Sequence, residues 1–404
     1  MRVALLTREY PPEVYGGAGV HVEYLAVELA RLIDIEVRCF GAPREATSDG
    51  PDVLAFTPWE TVARGEPYSS ALQTMSVNLA MATGLEDADL VHSHTWYANF
   101  AGHLARLIYD VPHVATTHSL EPLRPWKAEQ LGAGGYALSK FCEKTALESA
   151  DAIIAVSSAM RTDVLECYPA LDPGRVTVIH NGIDPDDYKP DPNSDVLETY
   201  GIDPGSPYVI FVGRITRQKG IVHLLDAALH IEPGVQIVLC AGAPDTKEIA
   251  REVQGRVDTV REQRGGLVWI EQMLPKPQIV QLLSHAAVFC CPSIYEPMGI
   301  VNLEAMGCGT AVVATATGGI PEVVDDGSTG HLVPFEIDDP VTRDPRDPKG
   351  FAGDLSARIN DLLADPAKAG SFGRAGRQRV LDRFSWTKVA EETAALYRRL
   401  VASE

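Results

Sequence analysis

The feature that most constrains this chain is a rhythm that runs almost from end to end. Short runs of β-branched and apolar residues alternate with longer stretches whose apolar residues recur at three- and four-residue spacing. Val3–Thr7, Ile35–Phe40, Leu90–His92, His113–Thr116, Ala152–Val156 and Val176–Ile179 read as buried strands. Val20–Ile33, Leu72–Leu85 and Glu129–Ser149 lie between them and read as helices. The same rhythm restarts at Tyr208–Val212 and continues through Gln236–Cys240, Leu267–Ile270, Ala287–Cys291, Thr310–Ala314 and Gly330–Val333. Strands interleaved with helices predict parallel, doubly wound sheets, because two parallel neighbours need a crossover between them. The strands are too many for one ordinary open sheet. The expected fold class is therefore α/β, with two Rossmann-like domains facing one another across a cleft.

The boundary falls in Asp184–Asp195, a stretch rich in proline and acid with no hydrophobic period. We expect a first domain over residues 1–183, a linker over 184–206 and a second domain over 207–384. A C-terminal helix over 385–404 is expected to cross back onto the first domain.

Charge narrows the ligand class. The 404 residues carry 55 Asp plus Glu against 35 Lys plus Arg, a formal net charge of −20. Such a chain has no basic footprint for nucleic acid. An anionic ligand must be held by a few local cations and backbone dipoles, against the overall field. No apolar run approaches the ~20 residues that span a bilayer, and the apolar run before Pro11-Pro12 is too short for a signal-peptide core. The seven cysteines form no Cys-x-x-Cys pair and suit thiols in a reducing compartment. The expectation is a cytoplasmic protein with no nucleic-acid or membrane partner, and a homo-oligomer is compatible with the composition.

Three segments stand at predicted strand ends, where open α/β sheets place their ligands. The first is Glu9-Tyr-Pro-Pro-Glu-Val-Tyr-Gly-Gly-Ala-Gly19. Gly16 and Gly17 let the backbone approach a ligand at a helix N-terminus, where free N–H groups favour phosphate. The glycines lack the spacing of a dinucleotide fingerprint, which argues against an oxidoreductase. An ordinary flexible loop is the alternative. The second segment is Gly213-Arg-Ile-Thr-Arg-Gln-Lys-Gly220. It places Arg214 and Lys219 before a helix whose dipole disfavours cations, so an anion between them is expected. The third is Pro292-Ser-Ile-Tyr-Glu-Pro-Met-Gly-Ile-Val-Asn-Leu-Glu304. Here Glu296 leaves a buried strand and Pro297 leads into a helix that carries Glu304. Such carboxylates, with free N–H groups around Gly299, can hold sugar hydroxyls; a capping Glu and a solvated Glu are the plain alternative.

Histidines mark strand ends in the first half. His92 and His94 sit at i, i+2 and point the same way, but no third ligand of matching context is evident, so no metal is expected. A hydrogen-bonded structural role suits them better. His118, just past a strand, is the better candidate for lining a cleft.

Together these segments resemble the retaining GT-B glycosyltransferases, particularly family 4 and the neighbouring bacterial glycogen synthases. Gly318-Gly-Ile-Pro-Glu322 adds to the likeness, which covers essentially the whole chain. Arg8–Gly19 and His118-Ser-Leu-Glu-Pro-Leu-Arg-Pro-Trp-Lys127 are most similar to the short actinobacterial-type enzymes, some of which make α-maltose 1-phosphate. Members of that group transfer glucose from ADP-glucose without a separate cofactor. The resemblance implies that Arg214 and Lys219 clamp the donor diphosphate, with Gly16 and Gly17 approaching the same phosphates. It implies that Glu296 holds the glucosyl hydroxyls, assisted by the backbone of Gly299, Ile300 and Val301, and that Glu304 accepts from the ribose. His118 would meet the transferred sugar, making His118, Glu296, Arg214 and Lys219 the catalytic set. Trp96, Arg124, Lys127 and Asn181 are the acceptor-side candidates. Glycogen synthases have a Lys where Val14 stands and Asp-Trp where Thr95-Trp96 stands, and both positions touch acceptor or donor contacts.

The function expected is a metal-independent, retaining α-1,4-glucosyltransferase. Its acceptor is glucose 1-phosphate or a growing α-glucan. A sugar-nucleotide epimerase of the same architecture, or a non-catalytic nucleotide- or glucan-binding module, are the rival readings.

Overall fold

The computed structural model describes residues 1–14, 16–44, 50–62, 65–339 and 342–402. The chain divides into two compact units. One holds Met1–Gly182 together with the chain from Trp386 onward, and the other holds Ile183–Ser385.

The first unit is built on seven strands: β1 (Arg2–Leu6), β2 (Asp34–Phe40), β3 (Asp52–Phe56), β4 (Leu90–His94), β5 (His113–Thr117), β6 (Ala152–Ala155) and β7 (Val176–Val178). They lie in the order β3-β2-β1-β4-β5-β6-β7, and every pair is parallel. β4 and β5 are buried along their whole length, as strands covered on both faces must be. β3 has no counterpart in the sequence reading. It is an edge strand of half-exposed residues, with Leu54 44% exposed, so it lacks the continuous apolar run that marked the others.

The helix Trp386–Val401 belongs to this unit. Its Trp386 stacks on Tyr24 at 5.6 Å between ring centres, and its Tyr397 is fully buried. The Tyr397 hydroxyl lies 2.6 Å from His92 Nδ1, so this helix helps fix the histidine at the middle of β4.

The second unit has six strands: β8 (Tyr208–Arg214), β9 (Gln236–Gly242), β10 (Leu267–Ile270), β11 (Val288–Cys291), β12 (Val312–Thr315) and β13 (Gly330–Val333). Their order is β10-β9-β8-β11-β12-β13, again all parallel. Residues 184–206, read above as a linker, lie in this unit. Tyr188, Val196, Leu197 and Ile202 are buried there, and Asp195–Thr199 form a short helix. Buried apolar residues thus hold the segment despite its prolines and acids.

Both sheets reverse strand order once, between β1 and β4 and between β8 and β11. Loops at such a switch point diverge to opposite faces and leave room for a ligand. In the first unit those loops carry Arg8–Val14, Gly16 and Thr95. In the second they carry Ile215–Gly220 and Pro292–Gly299.

Candidate functional site

In the second unit β8 ends at Arg214, and Arg217–Lys219 make one 3-10 turn capped by the Thr216 hydroxyl. Gly220 then adopts φ +62 and starts the helix Ile221–Ala228. A Cβ at Gly220 would overlap the Pro292 carbonyl oxygen, so glycine is what lets this loop close on the loop after β11. Across that junction Lys219 Nζ lies 2.6 Å from Glu296 Oε2, which also accepts from the Ser293 hydroxyl at 3.1 Å. Glu296 is only 5% exposed. Burial alone would lower the Lys219 pKa, but Glu296 and Cys291 outweigh it and hold the ammonium above the usual lysine range. Lys219 is therefore a charged donor at neutral pH.

Arg214 does not stand between free anion sites. Its Nη1 is 2.9 Å from Asp245 Oδ1. Each expected phosphate-binding cation thus has a carboxylate partner: Asp245 for Arg214 and Glu296 for Lys219. Their disfavoured placement at a helix start is offset by those acids, so it does not by itself require a bound anion.

Glu296 is seated by its backbone as well. The Gly319 N–H donates to its carbonyl at 2.9 Å, and Gly318 at φ +53 packs so closely that a Cβ would overlap the same oxygen. Gly299, at φ +87, precedes the helix Ile300–Gly307. The Asn302 N–H is the first to close a turn, onto Gly299 O at 3.0 Å, which leaves Ile300 and Val301 at the open N-terminal end. Pro297 lies ahead of this helix rather than in its first turn. Glu304 accepts from the Tyr188 hydroxyl at 3.1 Å. Burial raises its pKa, while Tyr188 and Lys219 hold it back.

The first unit gathers histidines. The His118 Nε2 is 3.1 Å from His94 Nδ1, and the His118 ring meets His21 edge-on at 4.6 Å. His21 Nδ1 is 2.7 Å from Asn181 Oδ1, so His21 donates there and its buried Nε2 keeps a lone pair without a hydrogen-bond partner among the described residues. One ligand atom each from His21, His94 and His118 lies within 4.8 Å of the others. His21, on the helix Gly17–Ala30, and His118 thus gather with His94, while His92, paired with His94 in the sequence reading, is not part of the cluster. Three neutral imidazoles so placed can take a divalent metal or the hydroxyls of a sugar. Burial holds them neutral: it lowers His21 to about 4 and pushes His94 and His118 well below the usual imidazole range. His92 is satisfied by Tyr397 and, at 2.6 Å, by Thr116.

The other candidates divide. The Gly16 N–H is taken by Glu9 Oε2 at 2.7 Å, and Gly17 opens the helix as an exposed residue. Trp96 is 2% exposed in an apolar cluster with Ala71, Leu131 and Cys142, which places its ring in the core rather than on a surface. Lys127 is buried with its Nζ 2.7 Å from Gln130 Oε1. Arg124 reaches the Ser119 hydroxyl at 3.0 Å but leaves its buried Nε unpaired. Sequence reasoning missed Asp245, Ser293, Tyr188 and His21. His21 had a usable signal, lying two residues after Gly19 on the glycine-started helix.

A pair of parallel-sheet units with ligand loops at both switch points is the architecture of a GT-B glycosyltransferase. Residues 15–187 match Glycosyltransferase Family 4, and residues 195–343 match Glycosyl transferases group 1. The chain is 54% identical to the alpha-maltose-1-phosphate synthase of Mycolicibacterium smegmatis, with all of both chains covered. It is 29% identical to the glycogen synthase of Mycobacterium tuberculosis, covering 98% of this chain and 94% of that one. Among solved structures, the sucrose-phosphate synthase of Thermosynechococcus elongatus superposes with a TM-score of 0.79 at 26% identity, covering 100% of each. This chain belongs to the family 4 and group 1 glycosyltransferases.

Proposed function

We propose that this glycosyltransferase moves a glucosyl group from ADP-glucose to glucose 1-phosphate, giving α-maltose 1-phosphate and ADP with retention of configuration. The whole-length similarity to an enzyme named for that product supports the acceptor. The observation that carries the chemistry is the part-buried Lys219–Glu296 pair at the switch point of the second sheet.

As the bond from glucose C1 to the β-phosphate oxygen breaks, its electron pair leaves on ADP and positive charge grows on the ring. Lys219 and Arg214 neutralise the departing phosphate, and the open helix end at Ile300 and Val301 adds fixed N–H dipoles. Glu296 turns from Lys219 towards the glucosyl hydroxyls, held by Ser293 and Gly319. Glu304 accepts from the ribose. The acceptor hydroxyl bonds to C1 from the face the phosphate leaves, and its proton passes to the departing oxygen. Neutral His118 offers a lone pair or an N–H to the sugar without adding charge. In the first unit, Arg124 and Lys127 are the acceptor-side cations. With charge stabilised by side chains, no metal and no cofactor is required.

The test is a donor-by-acceptor assay with product sizing in the presence of a chelator. A free phosphorylated disaccharide formed from ADP-glucose and glucose 1-phosphate is the expected result. A lengthened glucan with no disaccharide product would assign the protein to glycogen synthesis. A rearranged nucleotide sugar from donor alone would make it an epimerase.

A further inference from the structure

Arg8 is a cation the reading above leaves without a task. It follows β1 at the switch point of the first sheet and is exposed; its carbonyl accepts from the Phe40 N–H at 3.3 Å, while its side chain makes no hydrogen bond or ion pair with another described residue. Its guanidinium instead lies over the Tyr97 ring, 4.2 Å from the centroid. In a chain of net charge −20, an uncompensated arginine at a ligand-bearing strand end is unusual.

Its surroundings share that character. Tyr97 is in the first turn of the helix Trp96–Tyr109, which has no acid in that turn and no side-chain cap from Thr95. Arg124 acts on the same phenol. Burial raises the Tyr97 hydroxyl above the usual range, and Arg8 and Arg124 both oppose that rise, against Glu121 and Glu9. Glu121 is an ion-pair partner of Arg124, and neither acid pairs with Arg8. Glu9 accepts the Gly16 N–H, and Glu121 accepts the Ser139 hydroxyl at 2.7 Å and stands 3.8 Å from Arg124. Arg124 Nε and Trp126 Nε1 are buried donors without partners among the described residues, and Trp126 is 8% exposed. Unpaired buried donors are costly unless a ligand oxygen completes them.

We propose that Arg8, with Arg124 and the Tyr97 hydroxyl, forms a site in the first unit for the phosphate of a phosphorylated sugar acceptor. The site makes the protein select a sugar phosphate over an uncharged sugar. This rests on the glucosyl-transfer reading for its substrate and adds Arg8 as the determinant of acceptor charge. Two forked guanidiniums suit a phosphate dianion, which presents paired oxygens.

The test compares wild type with Arg8→Ala and Arg8→Lys. The first readout is the ratio of kcat/KM for glucose 1-phosphate to that for maltoheptaose, with ADP-glucose as donor. The second is calorimetric binding of glucose 1-phosphate without donor. Arg8→Ala is expected to lower the ratio and the affinity at least about tenfold, the size of one charge-assisted hydrogen bond. Arg8→Lys, which keeps the charge and loses the fork, is expected to fall between. A ratio and an affinity within about threefold of wild type would overturn the site. Wild type that binds the sugar phosphate through Arg8 but transfers nothing to it would sink the glucosyl-transfer reading and leave the site standing.

Discussion

Replacing Lys219 by Met removes one charge from a pair whose Nζ–Oε2 distance is 2.6 Å and whose side chains are 23% and 7% exposed. Breaking a buried ion pair by deleting one partner costs about 3–5 kcal/mol, because the other charge is stranded. Water reaches part of the lysine, so ~2–3 kcal/mol of folding stability is the expected loss. The catalytic loss is separate. A fixed donor aimed at developing negative charge contributes ~2.7–4 kcal/mol to the barrier, or roughly 10²–10³ in kcat. The assay is ADP release at saturating donor and acceptor, alongside urea unfolding of the same preparation. Lys219→Met combined with Glu296→Gln removes both charges and should recover much of the stability while activity stays lost. If Lys219→Met is destabilised yet turns over within about threefold of wild type, the pair is structural and the leaving-group argument fails.

Three further outcomes follow from the same geometry. Gly318→Ala forces a left-handed residue against the Glu296 carbonyl, a backbone cost of about 1–2 kcal/mol before any displacement; melting temperature and kcat should both fall, and an unchanged kcat would show that Gly318 does not seat Glu296. Burial lowers His21 to about 4 and His113 to about 3, so the unfolded chain takes up protons first as pH drops below the usual imidazole range. Stability should therefore be full above pH ~6.5 and decline towards pH 4, by on the order of 3 kcal/mol from His21 alone; a flat thermal-melt profile across that window would contradict it. Glu143 is pushed to about 8 by burial and by Glu121, so it is neutral in the fold at pH 7. The stability this contributes is present below the ordinary carboxylate range and drains as pH rises towards 8. Glu143→Gln, neutral throughout, should lose less between pH 5 and 8, and parallel melt curves would exclude that account.

Much of the fold is legible in the sequence because fully buried parallel strands leave uninterrupted apolar runs. β4, β5, β11 and β12 show this plainly, and their ends marked His118 and Glu296 without any contact information. β3 escaped because its residues alternate only weakly between half-exposed and exposed. The short helix at Asp195–Thr199 escaped because prolines and acids masked the few apolar residues that bury it. In the site, what could not be read was pairing. Asp245 lies 31 residues from Arg214, and Tyr188 lies 116 from Glu304, in a chain where acids recur too often for spacing to single one out. Hence the cations looked unpaired in sequence and are paired in the fold. Arg8 shows the reverse: it sits in a motif noticed for its glycines, and only the fold reveals a charge with no partner acid among the described residues.

The central claim is that Arg214 and Lys219 receive the donor's diphosphate in the second unit. A crystal structure of the protein with ADP tests it directly. The account predicts β-phosphate oxygens within ~3 Å of Arg214 and Lys219, with Glu296 released from the lysine. ADP bound with its phosphates away from both side chains, and the Lys219–Glu296 pair intact, would contradict it.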